Sequence, residues 1–186
     1  MIKLGIAQTI QTSTNEEGIK QAASLLERLG KNEADVVCLP EQYLPDSKID
    51  DFEATLAPFA KIAKQYSMSV IAGAFYTKSG TKQTISAPVI DDSGQFIGVQ
   101  DKIHPFDYEG DTVKPGVEAK VFSTKCKFGI IICYDMVFSD VAQTLAKKGS
   151  QVLFSPARIV RHGIQPWHLY CQTRALENRI PILAAN

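Results

Sequence analysis

MSVIAGAFYT (residues 68–77), TKQTISAPVI (81–90) and QFIGVQDKI (95–103) run one after another, broken only by Ser79-Gly80 and by Asp91-Asp92-Ser93-Gly94. Each stretch is rich in β-branched and aromatic residues. The breaks have the composition of tight turns, so the middle of the chain reads as consecutive paired strands. Working outward changes the pattern. Upstream, residues 3–9 and ADVVCLP (34–40) are short apolar strands. Between them Asn15 is positioned to cap a helix with Glu16 and Glu17 in its first turn; Ala22, Leu25, Leu26 and Leu29 recur at helical spacing, and Gly30 ends the run. Asp50 and Glu53 form a capping-box pattern before a second helix striped by Leu56, Phe59, Ala60 and Ala63. Downstream, AKVFST, FGIIIC, QVLFSPA and PILAAN read as strands. A third helix runs from about Ser139 to Lys147-Lys148-Gly149, and a fourth begins with Pro166 and runs toward Asn178. Helices at both ends of the order, with strand after strand between, suit an α-β-β-α layering. A single doubly wound sheet is the alternative.

The 186 residues suffice for one domain with a sizeable core, and 45% of them are hydrophobic. Lys+Arg and Asp+Glu each count 20, so no basic field invites nucleic acid and no polybasic arm invites a membrane surface. Zero net charge also offers little resistance to self-association. The start, MIKLGIAQT, has no signal-peptide pattern, and no apolar run approaches the roughly 18 residues needed to span a bilayer. Cys38, Cys126, Cys133 and Cys171 are scattered, which speaks against a disulfide framework or structural zinc and for a reducing cytoplasm. His104, His162 and His168 show no metal-ligand spacing.

Three polar residues stand where apolar strands end. Cys133 closes FGIII and opens the polar Tyr134-Asp135. By itself it reads first as a buried core thiol and only second as a nucleophile. Glu41 follows Leu39-Pro40, where partial desolvation would raise its pKa toward that of a working base; the plain reading is a solvated loop acid. Lys102 follows QFIGVQD, where an ammonium could stabilise an oxyanion or favour a thiolate; the plain reading is a surface lysine. Complementary types at three strand ends argue more strongly together than singly. Periodicity does not show whether those ends converge.

LPEQYL with Glu41, DKIHPF with Lys102, GIIICYDMVF with Cys133 and the following PWHLYCQTRALENRIPILAAN together resemble the nitrilase (carbon–nitrogen hydrolase) superfamily, in that order and over the whole chain. The resemblance implies one domain over residues 1–186, folded as a four-layer α-β-β-α sandwich. It implies a Glu41-Lys102-Cys133 triad cleaving non-peptide carbon–nitrogen bonds of small amides through a thioester. Lys102 and the backbone N–H of Tyr134 would hold the oxyanion, and no metal or organic cofactor would be needed. It marks Glu109 as a supporting second glutamate, although Asp107, Glu109, Asp111 and Glu118 all read on composition as solvated loop acids. It also implies a homodimer or higher homo-oligomer, paired through the helix layer around residues 138–148 and 166–179. The run CYDM resembles the branch acting on small ω-amides, but Val137 stands where that branch often carries arginine, which puts carboxylate recognition in question. Family members continue past the equivalent of Asn186, so the resemblance implies a sandwich lacking its C-terminal strands. Arg174, Glu177 and Asn178 read as helix braces, and Trp167 and Tyr170 as core or interface. An isochorismatase-like cysteine hydrolase fits the length, but no aspartate follows the first strand, GIAQT. A non-catalytic scaffold subunit with a vestigial triad is the reading from another class; turnover of an amide would separate it.

Overall fold

Val36, Val37 and Cys38 are all fully buried, yet they face two different cores. Val36 and Cys38 join one hydrophobic cluster and Val37 another, as the two-residue period of a strand requires when both faces of a sheet are covered. That alternation sets the architecture. The computed structural model describes residues 1–186, the side chain of Ser79 excepted. Its first sheet has six strands: β1 (Leu4–Ile6), β2 (Val36–Cys38), β3 (Ser69–Ile71), β4 (Phe75–Ser79), β5 (Lys82–Ile90) and β6 (Phe96–Asp101). β1, β2 and β3 are parallel; β3 and β4 both pair antiparallel with β5, and β6 also pairs antiparallel with β5. The second sheet has four strands, in the order β10 (Ile182–Ala185), β9 (Val152–Pro156), β8 (Lys127–Ile130), β7 (Val121–Ser123), with only β7 antiparallel.

Residues of both sheets, among them Ile71, Ile85, Val89, Phe128, Ile130 and Phe154, share one core. Helices α1 (Asn15–Lys31) and α3 (Ala57–Tyr66) cover the outer face of the first sheet through Ala22, Leu26, Phe59 and Ile62. On the other side, α4 (Ser139–Lys147) and α5 (Ile164–Asn178) cover the second sheet through Val141, Leu145 and Trp167. The chain is thus a four-layer α-β-β-α sandwich, and its two stacked sheets exclude the single doubly wound sheet.

Several boundaries differ from the sequence reading for local reasons. Thr14, not Asn15, caps α1: its hydroxyl accepts from the Glu17 N–H, while Asn15 instead ties the helix start to Asp46. Gly30 does not end α1, which runs on to Lys31. A Cβ at Gly30 would lie 2.4 Å from Cγ of Tyr66, so this glycine serves the close approach of α1 to α3. The expected second helix is two pieces, α2 (Phe52–Thr55), capped by Asp51 rather than Asp50, and α3, with Pro58 in its first turn. Pro166 lies two residues inside α5, not at its start. No helix among the described residues is long and apolar enough to cross a membrane.

Candidate active site

Glu41, Lys102 and Cys133 all follow strands, and backbone bonds fix each one. The Glu41 N–H donates to the Ala157 carbonyl at 3.2 Å, beyond the carboxyl end of β2. Lys102 leaves β6 with its N–H on the Ile85 carbonyl at 2.7 Å, and its own carbonyl accepts from Gly116 at 2.7 Å. Gly116 passes so close that a Cβ there would sit 2.8 Å from the Asp101 carbonyl oxygen. Beyond β8, the Ile131 N–H still reaches Phe154, and then the chain turns sharply: Cys133 has φ 44°, the left-handed region, at the head of a short 3₁₀ turn, Cys133–Val137. A non-glycine residue there carries a backbone cost of about 1 kcal/mol or more. The turn starts at Cys133, so the Tyr134 N–H is one of the first donors, which have no partner within the turn.

The side chains converge. The Lys102 ammonium lies 3.1 Å from Glu41 Oε1 and 2.9 Å from Glu109 Oε2, and all three groups are 3% exposed or less. Glu109 sits in a 3₁₀ turn, Asp107–Glu109, and also accepts from the Phe106 N–H at 2.7 Å. The plain reading of Glu109 as a solvated loop acid is therefore wrong: an acid-rich loop folds inward because the buried ammonium offers it a partner. Two buried carboxylates around one ammonium leave an excess of negative charge. Burial pushes Glu41 above the ordinary carboxylate range, and Lys102 only partly offsets this. Burial pulls Lys102 down, but the charges of Glu41 and Glu109 outweigh it and hold the ammonium well above its usual value. Cys133, 9% exposed, is pushed up by burial and then by Glu41, with Lys102 opposing. The thiol at rest is protonated beside a carboxylate able to take its proton.

These groups open onto a cavity of about 480 Å³. Trp167 and Tyr170 line it, so they are more than the core or interface residues the sequence suggested; Trp167 is also part of the core. Val137 lines it too and offers a substrate no charge. Arg158 and His162 line the cavity and escaped the sequence reading. They lie between β9 and α5, where no period or spacing singles out a residue. The Arg158 guanidinium donates to Gln42 Oε1 at 3.1 Å and has no carboxylate within 4.0 Å among the described residues. Arg174 braces as expected, with Nε and Nη2 donating to the carbonyls of Met136 and Val137 and so holding the far end of the Cys133 turn.

A sandwich of this layering, with a buried glutamate, lysine and cysteine gathered at its strand ends, defines a member of the nitrilase superfamily. The profile of the carbon–nitrogen hydrolase family matches residues 3–186, and the chain belongs to that family of enzymes acting on carbon–nitrogen bonds. It is similar to the omega-amidase NIT2 of Bos taurus, 28% identical over 203 residues that cover 99% of this chain and 74% of that protein. Among solved structures it is similar to a carbon–nitrogen hydrolase from Helicobacter pylori, with TM-score 0.87, 25% identity and coverage of 98% of this chain and 72% of that one. It also matches the fold of Saccharomyces cerevisiae Nit3, of branch 10 of the superfamily, with TM-score 0.88, 24% identity and coverage of 99% of this chain and 74% of that one.

Proposed function

We propose that this enzyme hydrolyses small amides to a carboxylic acid and ammonia, with Cys133 as nucleophile, Glu41 as general base and acid, and Lys102 as oxyanion partner. The observation that carries the reading is the buried cluster of Glu41, Lys102 and Glu109, which lines one cavity together with the Cys133 thiol. Glu41 takes the Cys133 proton as sulfur attacks the amide carbon. Lys102 and the Tyr134 N–H receive the developing oxyanion. Glu41 returns the proton to nitrogen, ammonia leaves, and a thioester remains. Glu41 then takes a proton from water, whose oxygen attacks the thioester and releases the acid and the thiol. Glu109 holds the ammonium in place rather than touching substrate. No cofactor enters any step. The enzyme works in the cytoplasm as a homo-oligomer.

The similarity to an omega-amidase favours amides over nitriles, and unpaired Arg158 gives the cavity a cationic end. Ammonia release across small amides, nitriles and N-carbamoyl compounds tests the reading, with mass spectrometry for an acylated Cys133. Turnover of amides with the acyl group on Cys133 is expected. No turnover of any amide would leave a scaffold subunit with the same constellation.

A further inference from the structure

His104 lies two residues after Lys102 and Asp135 two residues after Cys133, and the two meet. Asp135 is fully buried. Its Oδ1 accepts from the backbone N–H of His104 at 2.6 Å and of Ile103 at 3.1 Å, and its Oδ2 from that of Ile132 at 3.2 Å. One carboxylate thereby joins the two residues after Lys102 to the residue before Cys133. The imidazole adds to this. Nδ1 lies 3.1 Å from Asp135 Oδ1 and Nε2 lies 3.3 Å from Asp140 Oδ2, at the start of α4, while the ring stacks on Phe138 at 4.1 Å. Asp135 and Asp140 are the charged groups facing the ring; Lys102 is occupied by Glu41 and Glu109. A neutral imidazole has one N–H and serves one carboxylate, whereas an imidazolium serves both. A buried carboxylate left without its cation is costly.

We propose that His104 is a positioning residue whose imidazolium, clamped between Asp135 and Asp140, keeps the strand end bearing Lys102 in register with the turn bearing Cys133. The proposal rests on Cys133 being the nucleophile. Its consequence is a limit at high pH. The Asp135 hydrogen bond raises the proton affinity of His104, burial opposes it, and Asp140 adds to the rise. The clamp is therefore intact at low pH and is lost as pH climbs through that raised value. The Lys102 ammonium and the Cys133 thiol are both held well above their ordinary values, so neither changes its protonation state in the histidine window. The loss is expected on kcat, because the clamp sets the strand end bearing Lys102 against the turn bearing Cys133.

The test compares kcat and KM against pH in the parent, Asp140→Asn and His162→Gln, with the His104 ring followed by NMR. Asp140 is exposed and does not line the cavity. Asp140→Asn should move the alkaline limb of kcat and the His104 titration together to lower pH, lowering kcat on that limb about twofold to threefold. His162→Gln should leave the limb in place. Identical limbs in the parent and Asp140→Asn, or a limb that follows His162, overturn the proposal. The rate of Cys133 alkylation by iodoacetamide is a second readout that needs no turnover. It should break in the same window and shift in Asp140→Asn; a smooth rise, equal in both, also overturns it. If no amide is hydrolysed, the hydrolase reading fails, and the alkylation rates still decide the role of His104.

Discussion

Glu41 and Cys133 share one proton-transfer problem, because both are buried and both titrate above their ordinary ranges. The carboxylate is active only when unprotonated. Activity should thus rise with pH through a midpoint above the usual carboxylate range, and an acid limb at an ordinary glutamate value would show that Glu41 is not the base. Glu41→Gln keeps the shape and loses the proton shuttle, so kcat should fall by about 10²–10⁴ with the thermal melt retained. Near-parent activity would make Glu41 a bystander. Labelling separates the four thiols. Cys38 is sealed in the core, and Cys126 and Cys171 are half-buried away from the cavity, whereas Cys133 opens on the cavity beside Glu41. Brief iodoacetamide treatment and peptide mapping should find Cys133 modified first, and preferential modification of another cysteine would remove it as nucleophile. Arg158 lines the cavity with Gln42 as its hydrogen-bond partner and no carboxylate beside it among the described residues. A charge-assisted hydrogen bond to a substrate carboxylate, at this exposed site, is worth about tenfold in binding. Arg158→Met should then raise KM for amides bearing a distal carboxylate about tenfold and leave uncharged amides alone. An equal change for both would assign Arg158 to the rim structure.

Elements bring these residues together through close contacts that tolerate no added atom. At Gly30 the nearest atoms are Cγ, Cδ2 and Cβ of Tyr66, the part of the side chain next to its backbone, which a ring rotation does not move away. Gly30→Ala should push α1 from α3 at a cost of about 1–3 kcal/mol, seen as a lower melting temperature with the cavity chemistry unchanged. An unchanged melt would show that the helix pair has slack. The same position shows what sequence conveys and what it does not. Residues 68–77, which read as one strand, are two, β3 and β4, broken at Gly73, whose φ of 97° and approach to the Pro40 carbonyl composition does not announce. The strands β5 and β6 were legible because turn chemistry and β-branched composition agree. The ends of α1 and the break before α3 were not, because Gly30 answers to a ring in another helix and Pro58 restarts a helix that a hydrophobic stripe alone draws as continuous. In the site, Glu41, Lys102 and Cys133 were legible as motifs at strand ends. The inward turn of Glu109 depends on a buried ammonium contributed by another segment, and His104–Asp135 depends on two motifs meeting, so neither could be read from one stretch of chain.

At the scale of the molecule, the helix layer of α4 and α5 is polar on one side only in part. Leu169 and Leu176 are 64% and 78% exposed, and they lie seven apart on α5, hence on one stripe. Tyr170 and Phe138 are partly exposed nearby. The remaining surface offers no strong repulsion, since 20 basic residues balance 20 acidic ones. Scattered apolar residues on a surface are ordinary, but two large ones in register on an outer helix are suited to burial against a second copy. Each leucine buried in such a contact contributes about 1.5–3 kcal/mol. In a two-fold pairing each leucine is buried twice, once in each protomer. Leu169→Lys with Leu176→Lys should therefore shift the protein toward monomer in sedimentation equilibrium at micromolar concentration. Ammonia release per chain should hold if each cavity is complete within one protomer, because Glu41, Lys102, Glu109 and Cys133 all come from the same chain. An unchanged mass distribution would place any contact elsewhere than on this stripe, and a matching loss of turnover would mean that the partner helps to shape Tyr170 and Trp167, the α5 residues that face the cavity.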